Sequence, residues 1–119
     1  FCAARPGCAV LNLFAYTCAF SVVALQAGAG RVVNLDMAPG ALATGRRNHA
    51  HNGLPQGASF LAHDLFASWG KLKRGGPWDL VIVDPPSYQK GSFVATKDYA
   101  RVLRRLPVLL APGGHALLA

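Results

Sequence analysis

The sequence predicts an α/β fold, with helices on both faces of a doubly wound, mostly parallel sheet. Short apolar runs rich in β-branched residues alternate with helix-like patterns, as in right-handed strand-helix-strand crossovers. Three of the runs end in an aspartate, at Asp36, Asp64 and Asp84. In open parallel sheets ligands bind at the carboxyl ends of the strands, so these acids predict a ligand crevice there.

The strand before Asp84 gives the clearest signal. Residues 80–83 are continuously apolar, which is typical of a strand buried on both faces. Pro85 and Pro86 end it, because proline donates no ladder hydrogen bond and fixes φ. Asp84 is therefore expected on a stiff turn, with Tyr88 and Lys90 just beyond it.

The other elements follow from periodicity and from turn residues. Residues 19–27 are apolar almost all round, so that helix is expected to be buried on more than one side, in part by segments outside residues 1–119. Pro39 suits a first helical turn and Gly53 a helix stop, whereas Pro107 should kink its helix or end it early. In chain order we expect strands at 10–14, 31–35, 59–62, 80–83 and 115–119, helices at 19–27, 39–52 and 97–110, a short helix or turn at 65–72, a loop at 73–77 and a turn at 112–114.

Length and composition indicate one globular domain. The chain has 119 residues, 52% hydrophobic and 14% charged, enough for one core and too apolar for a disordered chain. No apolar run reaches the roughly 18 residues of a membrane span, and the start lacks the pattern of a signal peptide. Because the chain opens on Phe1 and closes within an apolar run, we interpret residues 1–119 as a piece of a longer protein, cut after about the fifth strand.

The cysteines and histidines indicate no metal site. Cys2, Cys8 and Cys18 are odd in number and lack a C-x-x-C spacing, which favours reduced thiols in a cytoplasmic protein. His49 and His51 are two residues apart on a predicted helix and so point to different faces.

The positive charge is concentrated in one half of the chain. The net charge is +7, and residues 71–119 carry eight cations against three acids, whereas residues 1–70 carry four against two. A polyanionic partner such as nucleic acid is consistent with this charge, and so is a basic surface that only keeps the protein soluble.

The loop after the first strand limits the choice of ligand. A dinucleotide pyrophosphate needs glycines there, and residues 12–20 contain none. Asp36 can accept the hydroxyls of a ribose, and Asp64 can accept from an exocyclic amine such as that of adenine. S-adenosyl-L-methionine is an adenosine ligand without a diphosphate, and its positively charged sulfonium favours a site lined by acids. We therefore expect it to be the cofactor.

Four segments in order, at residues 12–21, 32–37, 63–66 and 83–90, resemble those of class I, Rossmann-like methyltransferases. From about Val10 to Ala119 the chain is similar to the catalytic domain of bacterial enzymes that methylate cytosine C5 or guanine N7 of large-subunit ribosomal RNA. The resemblance implies an RNA partner. It also implies cofactor-binding residues, namely Asn12, Phe14, Ala15, Tyr16, Thr17, Asp36, Met37, Asp64, Leu65 and Asp84.

The same resemblance implies that Asp84, Pro85 and Pro86 form the catalytic floor, that Tyr88 stacks on the target base and that Lys90 meets a phosphate. Two positions depart from the family pattern. Glycine is more common where Cys18 stands, and lysine where Ser87 stands, which weakens any inference about the target.

The target atom stays open. Cytosine C5 needs a cysteine that adds at C6, and in the C5 enzymes that cysteine follows the fifth strand, beyond Ala119. Two further classes also remain open: a methyltransferase for a small molecule or protein, and a nucleotide-binding domain of other chemistry, which the missing glycines disfavour.

Overall fold

A computed structural model describes residues 1–54, 56–85, 88–89 and 93–118, with backbone alone for 88–89 and 93–97. Within these ranges the chain forms strands and helices that largely follow the predicted order. The strands are β1 (Ala9–Leu13), β2 (Arg31–Asp36), β3 (Ala58–Ala62), β4 (Trp78–Val83), β5 (Tyr88–Gln89), β6 (Phe93–Val94) and β7 (Leu110–Leu118), and the helices are α1 (Ala19–Gln26), α2 (Pro39–His51), α3 (Trp69–Gly75) and α4 (Ala95–Leu109), with a 3-10 turn at Leu65–Ala67.

The main sheet has the order β3-β2-β1-β4-β7, and every pair in it is parallel. The direction of winding reverses at β1, so the sheet is doubly wound, and the predicted fold class is confirmed. The predicted double burial of β4 is also confirmed. Leu80 and Ile82 face one core with α1, Val81 and Val83 face the other with α3 and α4, and none of the four is more than 8% exposed.

Helix α1 differs from its prediction. Ser21 and Ala24 are its buried residues, whereas Phe20 is 41% and Val23 61% exposed. Within the described residues α1 is therefore buried along one face only, where it meets the sheet and α2, and the predicted cover of its other side by outside segments stays a prediction.

The segment between β3 and β4 is more helical than predicted. A 3-10 turn is followed by α3, which includes residues 73–75 of the predicted loop. Trp78 explains this extension, because its Nε1 donates to the Leu72 carbonyl at 2.9 Å and its buried ring covers the last turn of α3. Strand β4 accordingly begins at Trp78 and includes Asp79, which was expected to precede it.

The last helix and strand also depart from their expected ends. Helix α4 does not end at Pro107 but runs on to Leu109, which is 1% exposed in the core. Strand β7 begins at Leu110, and the predicted turn at 112–114 is an irregularity inside it. Its register jumps from Leu110 beside Trp78 to His115 beside Leu80, and Gly113 has φ +74°.

The short hairpin of β5 and β6 was not predicted. None of the helices in the described ranges combines the length and the apolar character needed to cross a bilayer.

Candidate active site

Three strand ends bring the predicted site residues into one row. Leu13 of β1 pairs with Leu35 on one side and with Val83 on the other. The residues that follow, Asp36, Phe14 and Asp84, therefore lie side by side at the carboxyl edge of the sheet. Neighbouring strands are about 4.8 Å apart, so the backbones of the two aspartates are separated by about 10 Å. The predicted crevice edge is thus a continuous feature of the fold.

The loop between β1 and α1 has an unusual backbone. Phe14, Tyr16 and Cys18 have φ of 56°, 50° and 66°, values in the left-handed region that non-glycine residues seldom adopt. Each costs of the order of 1 kcal/mol, and such residues cluster at functional sites. The Ala15 N–H donates to the Leu35 carbonyl at 3.0 Å, which holds the loop over the end of β2.

Asp36 anchors this loop. One carboxylate oxygen accepts the Tyr16 N–H at 3.0 Å and the other accepts the Ala38 N–H at 2.9 Å. A carboxylate has about four acceptor positions, so two backbone bonds leave it capacity for two hydroxyl donors. Asp36 is 8% exposed, and the side chains of Tyr16 and Met37 beside it are 69% and 38% exposed. A polar acceptor between exposed apolar groups suits a nucleoside.

Asp64 lies one strand further along the same edge. Ala62 pairs with Asp36, so Asp64 lies two residues beyond the level of Asp36 along the strand direction. Its Oδ1 accepts the Phe66 N–H at 3.1 Å, and its carbonyl accepts the Ser68 hydroxyl at 2.7 Å. These bonds begin the 3-10 turn and bury Leu65 to 3% exposure. Asp64 therefore shapes the turn that borders the crevice.

On the other side of β1, Asp84 is exposed and Pro85 is half-buried. The carboxylate is thus accessible to a ligand, and the buried residues 80–83 of β4 hold it rigidly. Pro86 and Lys90 lie outside the described residues, as does the side chain of Tyr88. Their predicted roles stay predictions.

Asn12 is placed differently from the other predicted cofactor residues. It is 1% exposed, and its Nδ2 donates to Asn34 Oδ1 on β2 at 2.9 Å, while its own Oδ1 is buried with no hydrogen-bond partner. Asn34 in turn donates to Ser21 Oγ at 3.0 Å, and Ser21 Oγ is 2.7 Å from His49 Nε2. A buried polar network thus connects the sheet with α1 and α2 beneath the loop between β1 and α1.

Asn34, Ser21 and His49 of this network were not identified from the sequence. A detectable signal was present, because Asn12 and Asn34 each interrupt an apolar run, and the parallel register pairs them. Single polar residues in buried strands need partners, and the parallel register supplies them.

Cys18 closes the loop against α2. It is fully buried with Ala15 and Leu42, and burial raises the pKa of its thiol from 9.0 to about 12, with a further contribution from the Asp36 carboxylate. Gly45 of α2 makes room for the loop, because a Cβ there would lie 2.6 Å from Cys18 Sγ and 3.1 Å from the Thr17 carbonyl.

Cys2 and Cys8 are remote from this edge. Both are buried near the amino end of β1, where Asp79 accepts the Ala9 N–H at 2.8 Å. Burial and the neighbouring Cys2 raise the pKa of Cys8 to about 11. Over the described part of the chain, no three His, Cys, Asp or Glu side chains converge in a way that could hold a metal ion.

Comparison with known proteins gives matches to methyltransferases. A family model described as S-adenosylmethionine-dependent methyltransferase matches residues 2–119. A curated relative, ribosomal RNA large subunit methyltransferase I of Photobacterium profundum, is 40% identical over 113 residues, covering 91% of this chain and 28% of that protein. Ribosomal RNA large subunit methyltransferase K/L of a Psychrobacter species is 37% identical over 119 residues, covering 93% and 14%.

The chain therefore spans less than a third of the length of these relatives. A solved methyltransferase in complex with SAH superposes with a TM-score of 0.87 at 31% identity, over 97% of this chain and 31% of that one. The crevice residues, the sheet order and the match across residues 2–119 lead to one conclusion: the chain belongs to the S-adenosylmethionine-dependent methyltransferase family.

Proposed function

We propose that this protein transfers a methyl group from S-adenosylmethionine to a base of large-subunit ribosomal RNA. The observation that carries the proposal is the row of Asp36, Phe14 and Asp84, which supports a nucleoside site at Asp36 on the same sheet edge as the exposed Asp84 carboxylate. The names of the curated relatives and the net charge of +7 favour RNA as the substrate. Such an enzyme would work in the cytoplasm, where ribosomes are assembled.

The residues of the crevice fit the cofactor. Asp36 would accept the ribose hydroxyls, Met37 and Leu65 would border the adenine with Asp64, and the strained loop from Phe14 to Thr17 would enclose the methionine end. When bound, the cofactor supplies an electrophilic methyl group on a sulfonium. The protein's task is then to position the nucleophile, because an in-line displacement needs the reacting atoms about 3 to 3.5 Å apart.

Asp84 and Pro85 would present the target. An exocyclic or ring nitrogen already has a lone pair, and the Asp84 carboxylate or the Pro85 carbonyl can orient it by accepting a hydrogen bond from the base. Pro86 would continue this floor, and Tyr88 and Lys90 would contact the base and a phosphate, as the resemblance implies.

The proposal covers both cytosine C5 and a base nitrogen as the target atom. C5 methylation needs a thiolate that adds to C6. Cys18 is fully buried with a raised pKa, and Cys2 and Cys8 are buried at the opposite edge of the sheet, so none of the three is placed for that step. In the C5 enzymes that the chain resembles, the cysteine follows the fifth strand, so residues 1–119 do not distinguish the two reactions.

Two measurements test the proposal. Calorimetry with S-adenosylhomocysteine and with NAD separates a methyltransferase from another nucleotide-binding domain, and we expect binding of the first alone. Modified nucleosides in ribosomal RNA are then compared between cells with and without the gene. Loss of one methylated nucleoside is expected, and an unchanged profile with tight cofactor binding would instead indicate a small-molecule or protein substrate.

A further inference from the structure

The two helical layers of the fold carry very different charge. On one face of the sheet, α1 has no charged residue and α2 has Arg46 and Arg47. On the other face, the described side chains of α3 and α4 include six cations and one acid; the cations are Lys71, Lys73, Arg74, Arg101, Arg104 and Arg105. The acid, Asp98, is 5% exposed and accepts from Arg101 at 2.9 Å. The charge asymmetry is thus a property of the surface rather than of the composition alone.

A groove lies on the basic layer, between α3 and α4. It has a volume of about 430 Å³ and is lined by Trp69, Arg101, Arg104, Arg105 and Val108. We name it the α3-α4 groove. Within its lining no acidic side chain is present, and the three arginines extend over about one helical turn, or roughly 6 Å. That length matches the spacing of adjacent phosphates in a nucleic acid strand.

Aromatic rings hold two of these arginines in place. The Arg101 guanidinium lies 3.9 Å from the centre of the Phe66 ring, and that of Arg105 lies 5.5 Å from the centre of the Trp69 ring. The two rings contact each other edge to face at 6.0 Å. A guanidinium held over an aromatic ring keeps the N–H donors at its edge available and loses less conformational freedom on binding an anion.

The groove is connected to the crevice. Phe66 belongs to the 3-10 turn that Asp64 begins at the carboxyl edge. Helix α4 leads from β4 back to the parallel strand β7, so it starts at that edge and runs away from it, carrying the groove with it. A strand of RNA with its target base at Asp84 could therefore continue along this layer.

We propose that the α3-α4 groove binds the phosphate backbone of the RNA substrate, with Arg104 and Arg105 as the principal contacts and Arg101 held at the crevice end by Asp98. This inference rests on the proposed function and adds the route of the RNA over the protein. A polyanion is the occupant that the charge favours, because three arginines around a partly apolar floor can bind phosphates and stack on bases or sugars.

The test compares two double variants of the intact protein. Arg104→Gln/Arg105→Gln removes two charges from the groove, and Arg46→Gln/Arg47→Gln removes two exposed charges from α2. The pairs are matched, because Arg46 also lies over an aromatic ring, 4.5 Å from the centre of Phe60. Binding to ribosomal RNA fragments is measured at several salt concentrations, together with methylation kinetics and S-adenosylhomocysteine affinity.

We expect the groove variant to raise the RNA dissociation constant by roughly 10-fold and to lower the slope of log K against log salt by about 1.4, since each lost phosphate contact contributes about 0.7 on single strands. The α2 variant should change both much less, and S-adenosylhomocysteine affinity should stay constant in both. If the wild type methylates RNA and the two variants behave alike, the groove inference is overturned and the proposed function stands.

If the wild type binds S-adenosylhomocysteine but methylates no RNA, the proposed function itself fails. A groove variant that loses binding to anionic phospholipid vesicles while binding RNA normally would assign the arginines to a membrane surface instead, and would also overturn the inference.

Discussion

Gly45 of α2 and Cys18 of the loop between β1 and α1 are complementary in shape. The Cys18 thiol fills the space that a Cβ at Gly45 would occupy, because its Sγ lies 2.6 Å from that Cβ position. Cys18 itself has φ 66°, the backbone conformation that glycine adopts most readily. Glycine would therefore suit both positions, but in this chain only position 45 is glycine. The departure from the family pattern noted at Cys18 is compatible with the fold because α2 leaves room for the sulfur.

We predict that Gly45→Ala lowers the free energy of unfolding by about 1 to 3 kcal/mol, through overpacking against Cys18. Gly40→Ala in the same helix is the control, because its Cβ would meet nothing within 4 Å and helix propensity should then stabilise the protein by up to about 1 kcal/mol. In the Cys18→Gly background the cost of Gly45→Ala should shrink, leaving the Thr17 carbonyl as the remaining contact. Additive effects in urea denaturation would contradict direct packing between the two residues.

Stability should also fall at alkaline pH through Cys18. Its folded pKa of about 12 exceeds the ordinary 9.0, so the thiol's contribution is complete below pH 9 and is lost as the pH rises from 9 towards 12. The reason is that the unfolded chain releases this proton before the folded chain does. Denaturation midpoints measured from pH 8 to 11 should decline more steeply for the wild type than for Cys18→Gly. Parallel declines would show that the thiol ionises equally in both states.

Asp36→Ala should raise the dissociation constant for S-adenosylhomocysteine by roughly 10 to 100-fold, because it removes charge-assisted hydrogen bonds worth about 1.5 to 3 kcal/mol. It should also lower stability, because Tyr16 and Ala38 lose the acceptor of their N–H groups. Asp79→Ala is the matched control, since Asp79 also accepts a backbone N–H but lies at the amino edge of the sheet. Calorimetry that finds equal affinities for the two variants would remove Asp36 from the cofactor site.

Asp84→Ala should reduce turnover more than cofactor affinity. Asp84 is exposed beside the proposed target rather than under the loop, so its removal should leave the cofactor site intact and disorder the nucleophile. Single-turnover methylation and S-adenosylhomocysteine binding are measured on the same preparation. A large loss of affinity with normal turnover at saturation would make Asp84 a cofactor ligand first.

The sheet and the positions of its acids were predictable because both depend on local patterns. Apolar runs ended by an acid or by Pro-Pro locate the strand ends, and parallel crossovers then place Asp36, Asp64 and Asp84 at one edge. The residues of α3 were only partly predictable, because the last turn of that helix is held by the Trp78 ring, a contact between elements. The exposure of Phe20 and Val23 likewise depends on what packs against α1.

Within the crevice, the sequence identified the aspartates but could not show what they contact. Two features of the site result from tertiary packing and cannot be predicted from residue preferences. Asp36 accepts the Tyr16 N–H, and three non-glycine residues of one loop adopt positive φ. The positions of Arg101 over Phe66 and of Arg105 over Trp69 likewise depend on how α3 and α4 pack side by side.

The paired amides of Asn12 and Asn34 have a consequence for folding. Parallel strands this apolar can slide past one another with little change in buried area, so hydrophobicity alone would leave several alignments of β1 and β2 close in energy. A shift by two residues would keep every apolar side chain facing the same core. It would also separate the two amides and leave each buried without its partner, at a cost of about 1 to 3 kcal/mol per group. The asparagine pair thus favours the alignment in which Asp36 lies beside Phe14. Correct pairing of β1 with β2 therefore also assembles the crevice.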